Sequence, residues 1–243
     1  MHIFGLTDVG LQRSENQDAC AYEALDENRA IFVVCDGMGG AQAGNVASSI
    51  ASDVFMEHMK RDIRPVMSDK YARSVLINAI NFANYEVYRK SVSDSAFAGM
   101  GTTLVGGFFQ NGAGILANIG DSRAYYLGSS GISRITRDHS VVEEMLARGK
   151  ITEEQARRHP RRNLITRALG TDERVRADYY PFSLAGDTAL FLCYDGLSGM
   201  IDDQTIRSVF LAHPEPEVCA QTLIDAANTA GGHDNITVFM LRA

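Results

Sequence analysis

The 243-residue sequence predicts an α+β fold with largely antiparallel sheets. Strand-like runs occur early in the chain, in a central cluster and at its end, and the helical stretches between them come in pairs. A parallel, doubly wound sheet would show a regular alternation of strands and helices, which this sequence lacks. Because no repeat, low-complexity segment or linker interrupts the pattern, we expect one domain over residues 1–243.

Each predicted element rests on the spacing of its apolar residues. Helical spacing recurs in four stretches: 43–59, 71–90, 203–212 and 216–230. Apolar and β-branched runs typical of strands cover 32–35, 102–109, 113–119, 122–127, 188–194 and 236–242. The turn QNGAG, between the second and third of these runs, is typical of a β-hairpin.

Composition argues against several classes of protein. A net charge of −7 does not suit nucleic-acid binding, which needs a basic surface. The N-terminal MHIFGLTDVG does not resemble a signal peptide, and no apolar run approaches the ~18 residues of a membrane helix. None of the cysteines has metal-ligand spacing, so we expect a reducing cytoplasm. The cysteines are Cys20, Cys35, Cys193 and Cys219.

Residues 134–176 differ in charge from the rest of the chain. They contain eleven basic and seven acidic residues, a net charge of +4. Two short helices are predicted here, because Ser140 with Glu143 and Thr152 with Gln155 have the spacing of capping boxes. The segment is either a pair of solvated surface helices or a mobile, positively charged flap beside a site for anionic substrates.

Three apolar runs lead into an aspartate beside a glycine, namely Asp36, Asp121 and Asp195. An uncompensated carboxylate beside a core strand costs several kcal/mol, or its pKa shifts until it is neutral. Mg²⁺ or Mn²⁺ would compensate the charge, because these hard cations prefer oxygen ligands. Asp18 in RSENQD and Asp234 in GGHDN are further candidate ligands.

Arg13, in the same segment as Asp18, points to phosphate chemistry. Its planar guanidinium can bind phosphate through a fork of donors and stays charged at any working pH. Two metal ions about 3.5–4 Å apart can lower the pKa of a water molecule and aim it at phosphorus. The residues therefore predict hydrolysis of a phosphoester. An alternative interpretation of DGMGGAQAG is a nucleotide-binding loop. The segment lacks the Lys-Ser/Thr ending of that motif, so this alternative is not favoured.

Seven segments, in order along the chain, resemble the metal-dependent protein phosphatase family of type 2C, especially its bacterial single-domain serine/threonine phosphatases. They are TDVGLQRSENQDA, VVCDGMGGAQAGNVAS, MGTTLV, NIGDSRAYYL, TRDHSVV, LCYDGLSGM and GGHDNITVFML. The resemblance spans about residues 6–241. It implies a four-layer αββα fold, in which two largely antiparallel sheets form a central β-sandwich flanked by helices on both sides.

The resemblance also implies two Mn²⁺ or Mg²⁺ ions and their ligands. Asp36 matches the carboxylate that bridges both ions, and the backbone carbonyl of Gly37 matches a ligand of one of them. Asp195 and Asp234 match the ligands of the first ion. Asp18 matches a residue around the second ion, acting partly through water.

Other roles follow from the same resemblance. Asp121 matches a ligand of a third, more weakly bound ion, and Arg13 matches the arginine that binds the substrate phosphate. Thr103 and Asn235 match residues that support the ligands. Residues 138–163 correspond to the variable flap of the family.

The sequence departs from the family pattern near the site. Gln17 replaces a common glutamate and could accept a hydrogen bond from a metal-bound water without adding charge. Met38 replaces the histidine proposed as general acid in eukaryotic members and has no proton to donate. His139 is then the nearest motif histidine, as a proton donor or as a structural residue at a helix entry. Ala41 replaces a common histidine, and Gly199 offers no ligand for a third ion.

The resemblance implies a phosphoserine/phosphothreonine phosphatase that opposes a bacterial serine/threonine kinase. Its substrates would be phosphoproteins, and we expect a cytoplasmic monomer with no nucleic-acid or membrane partner. One alternative is a non-catalytic relative that binds partners, which the departures at Gln17, Met38 and Ala41 leave open. The presence of all five metal-type aspartates favours the enzyme.

Overall fold

The computed structural model of the protein describes residues 1–40, 43–65 and 67–242. The departure at Ala41 lies outside these residues and stays a prediction. The strands are β1 (His2–Asp8), β2 (Asp18–Asp26), β3 (Arg29–Met38), β4 (Gly101–Thr102), β5 (Leu104–Gln110), β6 (Ala113–Ile119), β7 (Arg123–Gly128), β8 (Gly131–Arg134), β9 (Asp178–Ser183), β10 (Ala189–Cys193) and β11 (Ile236–Arg242). The helices are α1 (Ala43–Asp62), α2 (Asp69–Ser93), α3 (Val141–Ala147), α4 (Glu153–Arg157), α5 (Asp195–Ser198), α6 (Asp203–Ala212) and α7 (Pro216–Thr229).

Two antiparallel sheets form the centre of the fold. The five-stranded sheet has the order β1-β11-β10-β7-β8. The six-stranded sheet has the order β2-β3-β5-β6-β9, with β4 paired to β3. Helices α1 and α2 cover the outer face of the six-stranded sheet, and α6 and α7 cover the outer face of the other. The predicted α+β sandwich flanked by helices is therefore confirmed.

Strand β3 shows why the central strands have apolar residues on both faces. Ile31 and Val33 pack against α1 and α2, whereas Phe32 and Val34 pack between the two sheets. Phe32 stacks on Phe239 of the opposite sheet, with ring centroids 5.0 Å apart. A strand buried on both faces needs a continuous apolar run, because successive side chains point to opposite faces.

The predicted hairpin connects β5 and β6. Asn111 has a φ angle of 51° and Gly112 a φ angle of 85°. Two successive positive φ values are typical of a type I′ turn, whose twist matches that of the paired strands. Asn and Gly tolerate these angles better than other residues, so the sequence signal and the observed turn have the same cause.

The structure corrects one boundary and adds elements that the sequence did not predict. The strand leading to Asp36 does not end there, because β3 continues to Met38 and Asp36 pairs with Asp18 across the β2–β3 ladder. The chain also forms β1, β2, β8 and β9 where no strand was predicted. Each of these four strands lies at an edge of its sheet.

The segment 138–163 contains the two predicted short helices. The Ser140 side chain accepts a hydrogen bond from the backbone N–H of Glu143. The Glu143 carboxylate binds Arg137, whereas Thr152 and Gln155 form a complete capping box. Residues 139–141 pair with residues 164–166, which joins the two ends of the segment.

Several arginines of the basic segment are neutralised locally. Arg134 pairs with Asp138, and ion pairs also join Arg137 to Glu143, Arg148 to Glu144, Arg158 to Glu154 and Arg167 to Asp178. Among the described residues, no carboxylate pairs with the remaining cations, which are Lys150, Arg157, Arg161, Arg162, Arg174 and Arg176.

Candidate active site

The five predicted aspartates come from distant segments and lie close enough to influence one another electrostatically. Their positions are the first residue of β2 (Asp18), the C-terminal part of β3 (Asp36), the turn after β6 (Asp121), the first residue of α5 (Asp195) and the loop before β11 (Asp234). The fold therefore gathers carboxylates from both sheets at one end of the sandwich.

Burial and mutual repulsion raise the pKa values of four of these carboxyl groups. Burial raises the pKa of Asp18 to about 7, with contributions from Asp234 and Asp195. Burial, then Asp195, raises the pKa of Asp121 to about 7. The pKa of Asp36 lies well above its usual range, because the site encloses it beside the other four carboxylates. Ionising these carboxyl groups therefore costs free energy while no cation is bound.

Asp195 is an exposed residue by solvent-accessible area. Protein atoms nevertheless surround its carboxyl group on most sides. This enclosure raises its pKa, and Asp234 raises it further. The next residue, Gly196, lies so close to the start of β11 that an added Cβ would be 1.9 Å from the carbonyl oxygen of Asn235. A glycine after Asp195 thus allows α5 and β11 to bring their two aspartates together.

A chain of hydroxyl groups holds Asp18. The Thr237 hydroxyl donates to Asp18 Oδ2 over 2.6 Å. The Thr7 hydroxyl lies 2.8 Å from that of Thr237 and accepts a hydrogen bond from the Asn16 amide. The side-chain oxygen Oδ1 of Asn16 in turn accepts a hydrogen bond from the backbone N–H of Asp18. Such a chain can strengthen each of its hydrogen bonds and fixes the direction of the carboxylate.

Thr103 holds Asp36 from the neighbouring strand. Its hydroxyl accepts a hydrogen bond from the backbone N–H of Asp36 at 2.9 Å, and its own N–H donates to the Asp36 carbonyl. The same hydroxyl lies 2.6 Å from that of Ser122, the residue after Asp121. One side chain therefore connects β3, which carries Asp36, with the turn that carries Asp121.

Gly37 occupies a position that no other residue could fill without a shift of the backbone. An added Cβ would lie 2.0 Å from the carbonyl oxygen of Gly44 in α1 and 2.8 Å from that of Gln17. The Gly37 N–H donates to the Gln17 carbonyl, and the Gln17 side-chain amide donates to the Gly40 carbonyl. Gln17 thus fixes the glycine-rich turn that follows β3.

Arg13 binds one of the candidate metal ligands. Its Nη2 atom donates to Asp234 Oδ2 over 2.8 Å, and both side chains are partly exposed. Asn235 holds the loop that carries Arg13, because its side-chain amide donates to the carbonyls of Val9 and Glu15. Its Oδ1 atom accepts from the backbone N–H of Gln17. The predicted supporting residue therefore orders the N-terminal part of the site.

His139 holds the turn that carries Asp121. Its Nδ1 atom accepts a hydrogen bond from the backbone N–H of Gly120 at 3.2 Å, and the backbone N–H of His139 donates to the Gly120 carbonyl. Its Nε2 atom lies 3.2 Å from Asp178 Oδ2. Burial is the main cause that lowers the pKa of His139, so the neutral ring is favoured. Because Nδ1 accepts a hydrogen bond, the proton of the neutral ring lies on Nε2.

The ring of His139 is 5% exposed and both of its nitrogens have partners. Of the two interpretations of this residue, its contacts favour the structural one. Arg167 completes its surroundings, since Nη1 lies 3.0 Å from Asp178 Oδ1 and 3.1 Å from His139 Nε2. Asp138, buried beside it, binds Arg123, the first residue of β7.

Several residues of this arrangement were not predicted from the sequence. Ser122 and Thr237 lie inside the motifs NIGDSRAYYL and GGHDNITVFML, where their hydroxyls are a sequence signal for partners of the neighbouring aspartates. Asp178 and Arg167 belong to no motif. The pairing of β9 with β6 brings Asp178 to the site, and the pairing of residues 164–166 with 139–141 brings Arg167 there. Sequence spacing carries no signal for such contacts.

The donor chemistry of the site fits divalent cations. The candidate ligands are carboxylate and carbonyl oxygens, which suit Mg²⁺ and Mn²⁺, and a cation would offset the repulsion that raises their pKa values. Over the described residues, no three Asp, Glu, His or Cys side chains already form a closed metal cluster. Asp234 contacts Arg13 through Oδ2 and accepts the backbone N–H of Asn235 on Oδ1.

Comparison with known proteins identifies the family. Residues 12–215 match the model of the family described as Protein phosphatase 2C. The chain belongs to the protein phosphatase 2C family. This phosphatase is 34% identical to the serine/threonine phosphatase stp of Listeria monocytogenes, over 99% of this chain and 95% of the relative. It is 34% identical to the protein phosphatase PhpP of Streptococcus pneumoniae, over 99% of this chain and 97% of the relative.

A solved structure supports the same assignment. The crystal structure of serine/threonine phosphatase Stp1 from Staphylococcus aureus matches with a TM-score of 0.91 at 33% identity. The match covers 99% of this chain and 95% of the other. The predictions of a phosphatase and of an αββα sandwich are confirmed, and metal dependence is typical of the family. No described helix is long and apolar enough to cross a membrane.

Proposed function

We propose that this phosphatase hydrolyses phosphoserine and phosphothreonine monoesters in proteins. The observation that carries the proposal is the meeting of five aspartates from distant segments, four of which have pKa values raised by burial and by one another. Relatives named serine/threonine phosphatases, which match almost the whole chain, support the assignment of the substrate class.

Two Mn²⁺ or Mg²⁺ ions would be held by this arrangement. Asp36 would contact both ions, and the Gly37 carbonyl would bind one of them. Asp195 and Asp234 would bind the first ion, and Asp18 would act near the second, partly through water. When bound, such ions neutralise charge at the phosphoryl oxygens and lower the pKa of an attacking water. We also assign to Asp121 a third, more weakly bound ion, since its carboxyl group is close to Asp195.

Arg13 would bind the phosphate of the substrate. Its guanidinium has five N–H donors, of which one is used by Asp234. The remaining donors can take phosphoryl oxygens while the contact with Asp234 keeps the side chain at the edge of the site. Arg13 thereby orients the phosphate beside the aspartates, which lowers the entropy cost of attack at phosphorus.

The leaving group requires a proton that Met38 cannot supply. His139 is not free to supply it either, because Nδ1 and Nε2 face Gly120 and Asp178. We therefore assign His139 a positioning role, as a support of the Asp121 turn. Thr103 and Asn235 act in the same way on Asp36 and on the Arg13 loop.

The experiment compares Asp36→Asn with wild type on p-nitrophenyl phosphate and on a phosphothreonine peptide. EDTA should abolish the wild-type activity, and excess Mn²⁺ or Mg²⁺ should restore it. Asp36→Asn keeps the size of the side chain but removes its charge, so it should lose at least about 10³-fold in kcat on both substrates, because the metal centre is not assembled.

Asp53→Asn is the matched control, because Asp53 is an exposed aspartate on α1. It should keep full activity. Activity that survives complete metal removal would exclude the two-metal mechanism. A wild-type protein that binds Mn²⁺ but hydrolyses neither substrate would support the non-catalytic alternative instead.

The cellular setting is also part of the proposal. We assign this phosphatase one catalytic domain over residues 1–243, a cytoplasmic location, a monomeric state, phosphoprotein substrates and a cognate serine/threonine kinase. All four cysteines are free, as a reducing compartment requires. Residues 138–163 would form a mobile flap beside the substrate, where Arg157, Arg161 and Arg162 have no carboxylate partner among the described residues and could attract anionic phosphoproteins.

A further inference from the structure

A cleft of about 530 Å³ lies between α2 and β9, outside the cluster of aspartates. Arg73 and Asn81 line it from α2, and Arg176, Tyr179 and Tyr180 line it from the other side. None of these residues belongs to the motifs that identify the family. The cleft is open to solvent, so a side chain of another protein can enter it.

The cleft presents two arginine side chains without carboxylate partners. The Arg73 guanidinium lies over the ring of Tyr179, with its carbon 4.8 Å from the ring centroid, and this stacking leaves its edge free for hydrogen bonds. Within the described part of the chain, neither Arg73 nor Arg176 forms an ion pair.

The acidic residue that lines the cleft is already neutralised. Asp178 is bound by Arg167 at 3.0 Å and by His139 at 3.2 Å. The Asn81 amide and the Tyr179 hydroxyl add neutral donors. The free groups of the cleft are therefore two cations and several donors, which is the chemistry that binds a carboxylate or phosphate group.

The cleft lies within reach of the active site. Asp178 pairs with Asn118 in the β6–β9 ladder, and Tyr179 pairs with Ala117. Asp121 follows these partners by three and four residues, so at most roughly 10–13 Å of extended chain separates them, at ~3.3 Å per residue. An extended peptide would span this distance, with allowance for the edge of the sheet, in about four to six residues.

We propose that the cleft between α2 and β9 docks an acidic side chain of a phosphoprotein substrate, four to six residues from the phosphorylated residue. The ligand group is the carboxylate of Glu or Asp, held between Arg73 and Arg176. The proposal rests on the proposed function, since it assigns part of the substrate preference of the same active site.

The test uses three phosphothreonine peptides of one sequence. They carry Glu five residues before the phosphothreonine, Glu five residues after it, or Gln at both places. Wild type should hydrolyse one Glu peptide with a KM lower than that for the Gln peptide by about threefold to tenfold, as expected for two exposed ion pairs. Arg73→Gln combined with Arg176→Gln should remove this difference and leave kcat and the hydrolysis of p-nitrophenyl phosphate unchanged.

Arg174→Gln is the matched control, because Arg174 is an exposed arginine of the same loop that does not line the cleft. It should keep the preference for Glu. Equal KM values for the three peptides with wild type, or equal effects of the control and the double variant, would overturn the proposal. Equal losses on p-nitrophenyl phosphate would also overturn it, because they would indicate a structural role.

A binding measurement separates this proposal from the proposed function. A fluorescent peptide with Thr instead of phosphothreonine and a cluster of Glu at the preferred position is titrated with metal-free protein in EDTA. Binding that is lost in the double variant supports the cleft even if the protein has no phosphatase activity. Inorganic phosphate that displaces the peptide at micromolar concentration would mean that the cleft takes free phosphate, which overturns the assignment to a substrate side chain.

Discussion

At the scale of single residues, Arg13 connects substrate binding with the acidic cluster. Its contact with Asp234 at 2.8 Å joins the candidate phosphate ligand to a candidate metal ligand. The sequence predicted both residues but not this contact, because they are 221 positions apart in sequence and only the fold brings β11 and the N-terminal loop together. Asn235 maintains that proximity through the backbone of residues 9–17.

We expect Arg13→Ala to raise KM for a phosphopeptide by about 10- to 100-fold, because a charged hydrogen bond to phosphate contributes about 1.5–3 kcal/mol. Arg13→Lys keeps the charge but loses the planar fork, so its KM should lie between those of wild type and Arg13→Ala. Steady-state kinetics with saturating Mn²⁺ measure both values.

Arg89→Ala is the control for this comparison, since Arg89 is an exposed arginine on α2 that pairs with Glu86. It should change neither KM nor kcat. If Arg13→Ala leaves KM unchanged and lowers kcat alone, Arg13 acts on the aspartates and not on the phosphate.

At the scale of secondary-structure elements, the sequence predicted the central strands and missed those at the edges. The central β3, β5, β10 and β11 are buried on both faces and have continuous apolar runs. The missed β1, β2, β8 and β9 are partly exposed, and β9 contains Pro181. Edge strands need fewer apolar residues and tolerate proline, so their pattern is weak.

The same distinction explains what could be predicted of the site. The aspartates and Arg13 stand in local motifs, so sequence spacing located them. Thr103, also predicted, lies between β4 and β5 and bonds the backbone of Asp36 in β3, but its link to Ser122 needs the neighbouring turn. The contacts of His139 with Asp178 and Arg167 depend on the position of β9, which the sequence did not predict.

His139 offers a test of how one element positions another. His139→Ala leaves the buried N–H of Gly120 without its acceptor, which should destabilise the protein by about 1–3 kcal/mol and loosen the Asp121 turn. His139→Asn places an oxygen near the position of Nδ1 and should recover part of the loss. Urea unfolding of the metal-free proteins measures the stability, and kcat with saturating Mn²⁺ measures the effect on the site.

Two further variants separate positioning from proton transfer. Asp178→Asn keeps the shape of the partner of Nε2, so it should lower kcat less than His139→Ala does. A positioning role also predicts that the pH dependence of kcat keeps its shape in His139→Asn, since no catalytic proton is lost. A missing acidic or basic limb in that variant would instead identify His139 as a proton donor or acceptor.

At the scale of the whole molecule, the packing of the sandwich holds the aspartates together. Their clustering by itself disfavours the folded state. The apolar layer between the sheets, with Phe32 stacked on Phe239, brings two rigid sheets together at the end where the aspartates meet. While the carboxylates are ionised and no cation is bound, their proximity does not stabilise the folded protein. The stability of the metal-free protein should therefore depend on whether they carry protons.

The sign of this dependence follows from the raised pKa values. Asp18 and Asp121 have pKa values of about 7 in the folded protein against a usual value of 3.8, so the folded state binds their protons more tightly. Their contribution to stability is fully present below about pH 3.8 and is lost as the pH rises through about 7. The lowered pKa of His139 acts in the opposite direction, but only below about 6.5.

We therefore expect the metal-free protein to lose about 2 kcal/mol of stability between pH 6.5 and 8, or roughly 4–8 °C in Tm. Thermal unfolding in EDTA across this range measures the loss. Asp121→Asn should show a shallower dependence, because one of the titrating groups is gone, whereas Asp53→Asn should match wild type. Added Mn²⁺ should raise Tm more at pH 8 than at pH 6.5, because the ions compete with protons for the same oxygens. A Tm that stays constant or rises with pH would show that ionising the carboxyl groups does not destabilise the folded protein. That result would contradict the raised pKa values of Asp18 and Asp121.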